Sequence, residues 1–196
     1  AMRIRLRPPL VIGNPEGEGG EEMVISAEGE WTFTMNKHSC RMIHFGYSKI
    51  RPKDWIRLFL NGVYSIAAQT IPKEIKKIDM TCVTMNESKT RVFQMPTHKE
   101  CLNYLWFLIQ EMNRLDAARH FPHEAALALQ KENLPSKELP ERLEEWLEEH
   151  LASNRPKISS QYGPVTFPED TPIPDDPEHR LKQCFGLLFK TMGNPG

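Results

Sequence analysis

The stretch Arg91-Val92-Phe93-Gln94-Met95-Pro96-Thr97-His98-Lys99-Glu100-Cys101-Leu102-Asn103-Tyr104-Leu105-Trp106 decides the fold, because a β pattern passes into a helix with no linker between them. Thr97-His98-Lys99-Glu100 fits a capping box: the Thr hydroxyl accepts from the Glu backbone N–H, and the Glu carboxylate reaches back to the Thr N–H. Pro96 stands just outside the helix. Cys101, Leu102, Leu105, Trp106, Leu108, Ile109 and Met112 form a broad apolar stripe, wide enough to lie across a sheet or a barrel mouth. The expected helix runs from Thr97 to about Phe121, where Pro122 ends it.

Toward the N-terminus the pattern is β. Thr90 to Met95 and Asp79 to Met85 flank the polar turn Asn86-Glu87-Ser88-Lys89. Leu58-Phe59-Leu60 and Val63-Tyr64-Ser65-Ile66 flank Asn61-Gly62, a dipeptide suited to the positive φ values of a type I′ hairpin turn. A competing reading takes Trp55, Leu58 and Phe59 as helically spaced, with Pro52 in a first turn and Gly62 as the stop. Trp31, Phe33 and Met35 alternate with threonines, and Ile43, Phe45 and Tyr47 alternate with Met42, His44 and Gly46. Residues 23–95 therefore read as six or seven short antiparallel strands, with 3–7 as a further one. Residues 13–22, rich in Gly and Glu, read as a loop.

Toward the C-terminus, residues 124–131 and a segment opened by Pro140 read as amphipathic helices. The second places Leu143, Trp146, Leu147 and Leu151 on one stripe, with glutamates opposite. Residues 153–178 are rich in Pro and Asp and read as extended. A last helix starts with Asp176 as cap and Pro177 in its first turn, carries Leu181, Cys184, Phe185, Leu188 and Met192, and stops at Gly193. The organisation read from this is an N-terminal strand and loop (1–22), a β domain with its closing helix (23–121), and a helical, Pro/Asp-rich extension (122–196).

At 196 residues, 39% hydrophobic and 26% charged, the chain holds one sizeable domain or one domain with an appendage. A net charge of -1 and a pI of about 6.7 argue against a general nucleic-acid binder. No apolar run approaches the roughly 20 residues that span a bilayer, and no secretory h-region opens the chain. Cys40, Cys82, Cys101 and Cys184 are too far apart for a paired zinc pattern and read as reduced, structural thiols. The expected location is therefore intracellular, cytoplasmic or nuclear.

Catalytic signatures are missing: no Gly-x-Ser-x-Gly elbow, no phosphate loop, no His-Glu-x-x-His. His38, Cys40 and His44 lack a fourth metal ligand at a sensible spacing. His120 and His123 suit a helix C-terminus. Cys101, in the first turn of its helix, is either a thiol of lowered pKa or a buried apolar residue, and its neighbours favour burial. Arg3, Arg5 and Arg7 share one face of a strand, as a phosphate grip or as a solvated edge. No enzyme activity, metal or cofactor is expected.

The order of elements resembles a pleckstrin-homology (PH)-like superfold domain over residues 23–121. The likeness rests on the final strand 91–95, the box at Thr97–Glu100, and the helix with Trp106 inside it. The resemblance implies an α+β fold, a small antiparallel β-barrel or strongly bent sheet closed by a C-terminal helix, here followed by an α-helical tail. It also implies two functions, headgroup binding and peptide binding. The nearest basic cluster, Arg3 to Arg7, is separated from the other strands by the Gly/Glu loop, so peptide binding is the better match. The expectation is a non-catalytic protein-interaction module or scaffold subunit. Its surfaces are the groove between helix 97–121 and the neighbouring strand edge, and the C-terminal apolar residues Leu143, Trp146, Leu147, Leu151, Leu181, Phe185 and Leu188. The terminal helices have three readings: folding back on the domain, docking on another protein, or self-association as a homodimer. The alternatives are phosphoinositide or nucleic-acid phosphate binding through Arg3, Arg5 and Arg7, and a viral structural or self-assembling role. Membrane and nucleic acid are the less expected partners.

Overall fold

The computed structural model describes residues 2–5, 10–15, 22–25, 30–35, 38–113, 138, 141–142, 145, 159–160, 163–164 and 177–193. In chain order the elements are β1 (Met2–Arg5), β2 (Leu10–Gly13), β3 (Glu22–Ile25), β4 (Glu30–Met35), β5 (Ser39–Phe45), α1 (Pro52–Ala67), β6 (Lys77–Val83), β7 (Ser88–Phe93), α2 (His98–Met112), β8 (Ser159–Ser160), β9 (Gly163–Pro164) and α3 (Pro177–Met192). The fold is α+β, as expected. Its main sheet has five strands in the order β1-β4-β5-β6-β7, and β2 with β3 forms a separate hairpin. Among the described strands no barrel closes, and β1 and β7 remain as edges.

The hairpin expected around Asn61-Gly62 does not form; those residues lie inside α1. The deciding pattern is burial: Trp55, Leu58, Phe59, Gly62 and Val63 are all buried, at the i, i+3, i+4, i+7, i+8 spacing of one helical face. Pro52 opens the helix, and Asp54 accepts the Arg51 backbone N–H at 2.8 Å. Gly62 serves close approach rather than a turn, since a Cβ there would lie 2.5 Å from Met80 Cε and 3.3 Å from Phe93 Cε1. The exchange of two strands for a helix changes the sheet. With α1 as crossover, β6 returns parallel to β5, whereas every other pair in the main sheet is antiparallel.

The chain divides into two compact units, residues 1–108 with 187–196, and residues 109–186. In the first unit, Cys40 and Met42 of β5, Ile78, Met80 and Cys82 of β6, and Phe93 of β7 are buried on one sheet face. Phe59 of α1 meets Phe93 edge-on at 6.3 Å and Tyr104 of α2 at 5.4 Å, so both helices cover that face. The alternate residues Thr34, Arg41, Phe45, Thr90 and Val92 are exposed on the other face. The final turn of α3 completes this unit: Leu188, Thr191 and Met192 are buried. There the Gln94 N–H donates to the Thr191 carbonyl at 2.9 Å, and the Arg91 guanidinium donates to that of Met192 at 3.4 Å. These carbonyls belong to the helix terminus that has no intrahelical donors left. The end of the groove expected as a recognition surface, where β7 passes into α2, therefore receives the chain's own C-terminal turn. Gly193, at φ +69°, donates to the Phe189 carbonyl and stops α3 where the sequence places the stop.

In the second unit, Arg180 and Glu111 form a 3.0 Å ion pair whose side chains are 5% and 14% exposed. Residues 141, 142 and 145 are helical, and Arg142 pairs with Glu145. The helices expected at 124–131 and from Pro140, and the extended segment 153–178, lie largely outside the described residues. No helix among the described residues is long and apolar enough to cross a membrane.

Candidate functional site

The parallel pairing brings the carboxyl ends of β5 and β6 side by side, with Phe45 opposite Val83. In open sheets with parallel strands this end is where chain crossovers leave room for a ligand. Two loops start there. Residues 46–51 lead into α1, and residues 84–87 turn β6 into β7. The turn is built around Thr84, whose hydroxyl oxygen accepts from the backbone N–H of Asn86 and of Glu87, at 3.3 and 3.1 Å. Cross-bonds then brace the loops together: Gly46 N–H to the Val83 carbonyl at 2.8 Å, Asn86 Nδ2 to the Ser48 carbonyl at 3.3 Å, and Ile50 N–H to Glu87 Oε1 at 2.8 Å. The bond from Ile50 and that from Lys89 hold the Glu87 carboxyl below its ordinary range.

Phe45 ends β5 and the braced loops carry Tyr47 and Met85; the three are 67%, 91% and 82% exposed. Large apolar groups in that state are a cost to a free surface and an asset to an interface. Lys49 and Arg51 of the first loop and Lys89 of β7 are also exposed, Lys89 in a 2.9 Å ion pair with Glu87. The acidic groups nearby are engaged within the site. Glu87 holds Ile50 and Lys89, and Asp54 holds the Arg51 N–H and, at 3.2 Å, His44 Nε2.

His44, Asp54 and Cys82 meet at this end of the sheet in a Cys/His/Asp combination. Its electrostatics oppose nucleophilic chemistry: burial, then the charge of Asp54, pushes the Cys82 thiol up to about 12, and the residue is 1% exposed. Cys101 behaves likewise, raised to about 12 by burial and by Glu100. Burial also raises Cys40 and Cys184 to about 11, and all four cysteines are free thiols. Among the described residues no group of three His, Cys, Asp or Glu is placed to hold a metal ion.

The residues expected to bind partners are distributed as follows. Arg3 and Arg5 stand on the edge strand β1, opposite Thr32 and Glu30. On β5, Arg41 stands opposite Asp79 of β6. Arg7 lies outside the described residues, as do Leu143, Trp146, Leu147 and Leu151. Leu181 and Phe185 are half-buried on α3, and Leu188 is buried at 1% exposure in the first unit. The Phe45–Tyr47–Met85 patch was not anticipated from sequence. Its available signal was a large apolar residue set inside each of two polar loops, Tyr47 beside Ser48-Lys49 and Met85 beside Asn86-Glu87.

The chain matches no family model, no curated protein and no solved structure.

Proposed function

We propose that this protein is a non-catalytic protein-interaction module whose recognition surface is the Phe45–Tyr47–Met85 patch. The observation that carries the reading is the bracing of two loops by three hydrogen bonds while their largest apolar side chains stay exposed. A preorganised surface loses less entropy on binding, and aromatic residues and methionine are enriched at the centres of interfaces. The raised thiols of Cys82 and Cys101 support a non-catalytic role. Four free cysteines support a reducing compartment, cytoplasm or nucleus. The PH-like likeness contributes the strand that runs into a capped helix; the reading does not depend on a closed barrel.

The test compares the full chain with a Phe45→Ser/Tyr47→Ser/Met85→Ser variant in affinity purification from the native source. A partner recovered by the parent and lost by the variant, at unchanged melting temperature, is the expected result. Equal recovery of every partner by both proteins contradicts it.

A further inference from the structure

We infer that the edge of β7 takes an added strand: an extended, acidic segment of a partner protein. This rests on the reading of the neighbouring sheet end as protein-binding, and it names the form in which the partner arrives. β7 pairs with β6 without a bulge from Ser88 to Phe93, and it contains no Pro or Gly. Just before it, the Thr84 N–H donates to the Glu87 carbonyl at 2.8 Å, which fixes the alternation of the ladder. Lys89, Arg91 and Phe93 therefore turn their backbone groups toward β6, while Ser88, Thr90, Val92 and Gln94 turn theirs outward. The Gln94 N–H is met from outside the sheet by the Thr191 carbonyl at 2.9 Å, so the open edge ends there. The outward backbone groups of Ser88, Thr90 and Val92 meet no partner among the described residues, and all three residues are exposed. Edge strands are ordinarily guarded by a bulge, a proline or a charged side chain. β7 has neither of the first two. Its cations lie on the helix-covered face and are engaged within the chain, Lys89 with Glu87 at 2.9 Å and Arg91 over the Trp55 ring at 5.0 Å. Charge selects the occupant. Antiparallel pairing with β7 of a second copy sets Lys89 or Arg91 opposite a like charge in every register that joins two or more outward residues. Carboxylates at those positions replace repulsion by attraction, and β-branched residues between them lie beside Thr90 and Val92. Strand addition of this kind takes affinity from main-chain bonds and specificity from alternate side chains.

The test titrates the isotope-labelled full chain with the peptide acetyl-Val-Glu-Thr-Glu-Val-amide and follows amide hydrogen exchange by NMR. Slowed exchange at Ser88, Thr90 and Val92 is expected, with little change at Lys89 and Arg91, whose N–H groups already face β6. Replacing both glutamates by lysine should weaken binding about tenfold, the worth of two cross-strand charge pairs reversed. N-methylation of the central threonine, which lies opposite Thr90, should abolish binding. N-methylation of a glutamate, whose N–H points away from β7, should leave it intact. Val92→Pro removes an outward donor and no bond to β6, so that variant should melt as the parent does and bind about tenfold more weakly. No slowing at the three outward amides, equal binding of the lysine peptide, or indifference to which nitrogen is methylated overturns the inference. Protection of the same amides that grows with protein concentration, without peptide, also overturns it, in favour of a second copy. An inert edge beside a Ser-substituted patch that still loses its partner overturns this inference and leaves the proposed function standing.

Discussion

Gly62 shows how one residue carries two opposite meanings. Beside Asn61 it is the strongest local signal for a hairpin, yet the buried face of α1 uses it to bring the helix close to Met80 and Phe93. A side chain there must displace the end of Met80 and press on the Phe93 ring. Gly62→Val is accordingly expected to destabilise the protein by about 2 kcal/mol, the range for overpacking a dense core, as measured by the shift in denaturation midpoint. Three residues on, the Ser65 hydroxyl is fully buried and finds no hydrogen-bond partner among the described residues. Its desolvation is uncompensated, so Ser65→Ala should stabilise by about 1 kcal/mol in the same measurement. The candidate site was illegible at this scale for a related reason. Tyr47 and Met85 are far apart in sequence, and each alone reads as an ordinary exposed side chain.

At the scale of elements, the helices with chemical punctuation were the legible ones. The Thr97–Glu100 box forms in both directions, with Thr97 N–H to Glu100 Oε2 at 2.7 Å and Glu100 N–H to Thr97 Oγ1 at 3.2 Å. Pro177 and Gly193 bound α3 as expected from sequence. By contrast α1 was obscured by Asn61-Gly62, because local turn propensity and a buried helical face compete for the same residues, and tertiary packing decided. That single misreading hid the parallel β5–β6 pair, and with it the loop pair that forms the site. The α2 cap has a pH signature. The ion pair with Lys190, then the bonds from Thr97, lowers the Glu100 carboxyl from 4.5 to about 2. A carboxyl depressed on folding contributes stability that is present above its unfolded pKa and lost as pH falls through its folded one. The contribution should therefore fade between about pH 4.5 and pH 2. Glu100→Gln should remove that part of the acid dependence and leave the rest of the stability–pH curve in place. The group is partly exposed, so the effect should also shrink with added salt.

For the molecule as a whole, the division of the chain matters more than the order of its elements. Residues 187–196 belong to the same compact unit as residues 1–108, although the intervening stretch forms the other unit. The last turn of α3 is thus part of the first unit's core, which is why Leu188, read from sequence as a surface for partners, is buried. Leu188→Ala should cost about 2–5 kcal/mol, as for other large-to-small core changes, and should lower the hydrogen-exchange protection of β7 and the start of α2 together. A substitution at a free surface would leave both unchanged.

The central claim is that one end of the sheet, where β5 and β6 run parallel, presents a surface for another protein. Photo-crosslinking tests it most directly: a benzophenone amino acid is placed at Tyr47, at Met85 or, as a control, at exposed Glu74, and the full chain is irradiated in the native source. The account predicts the same discrete adduct from positions 47 and 85 and none of that mass from position 74. No adduct from either patch position, or an identical adduct pattern from all three, would contradict it.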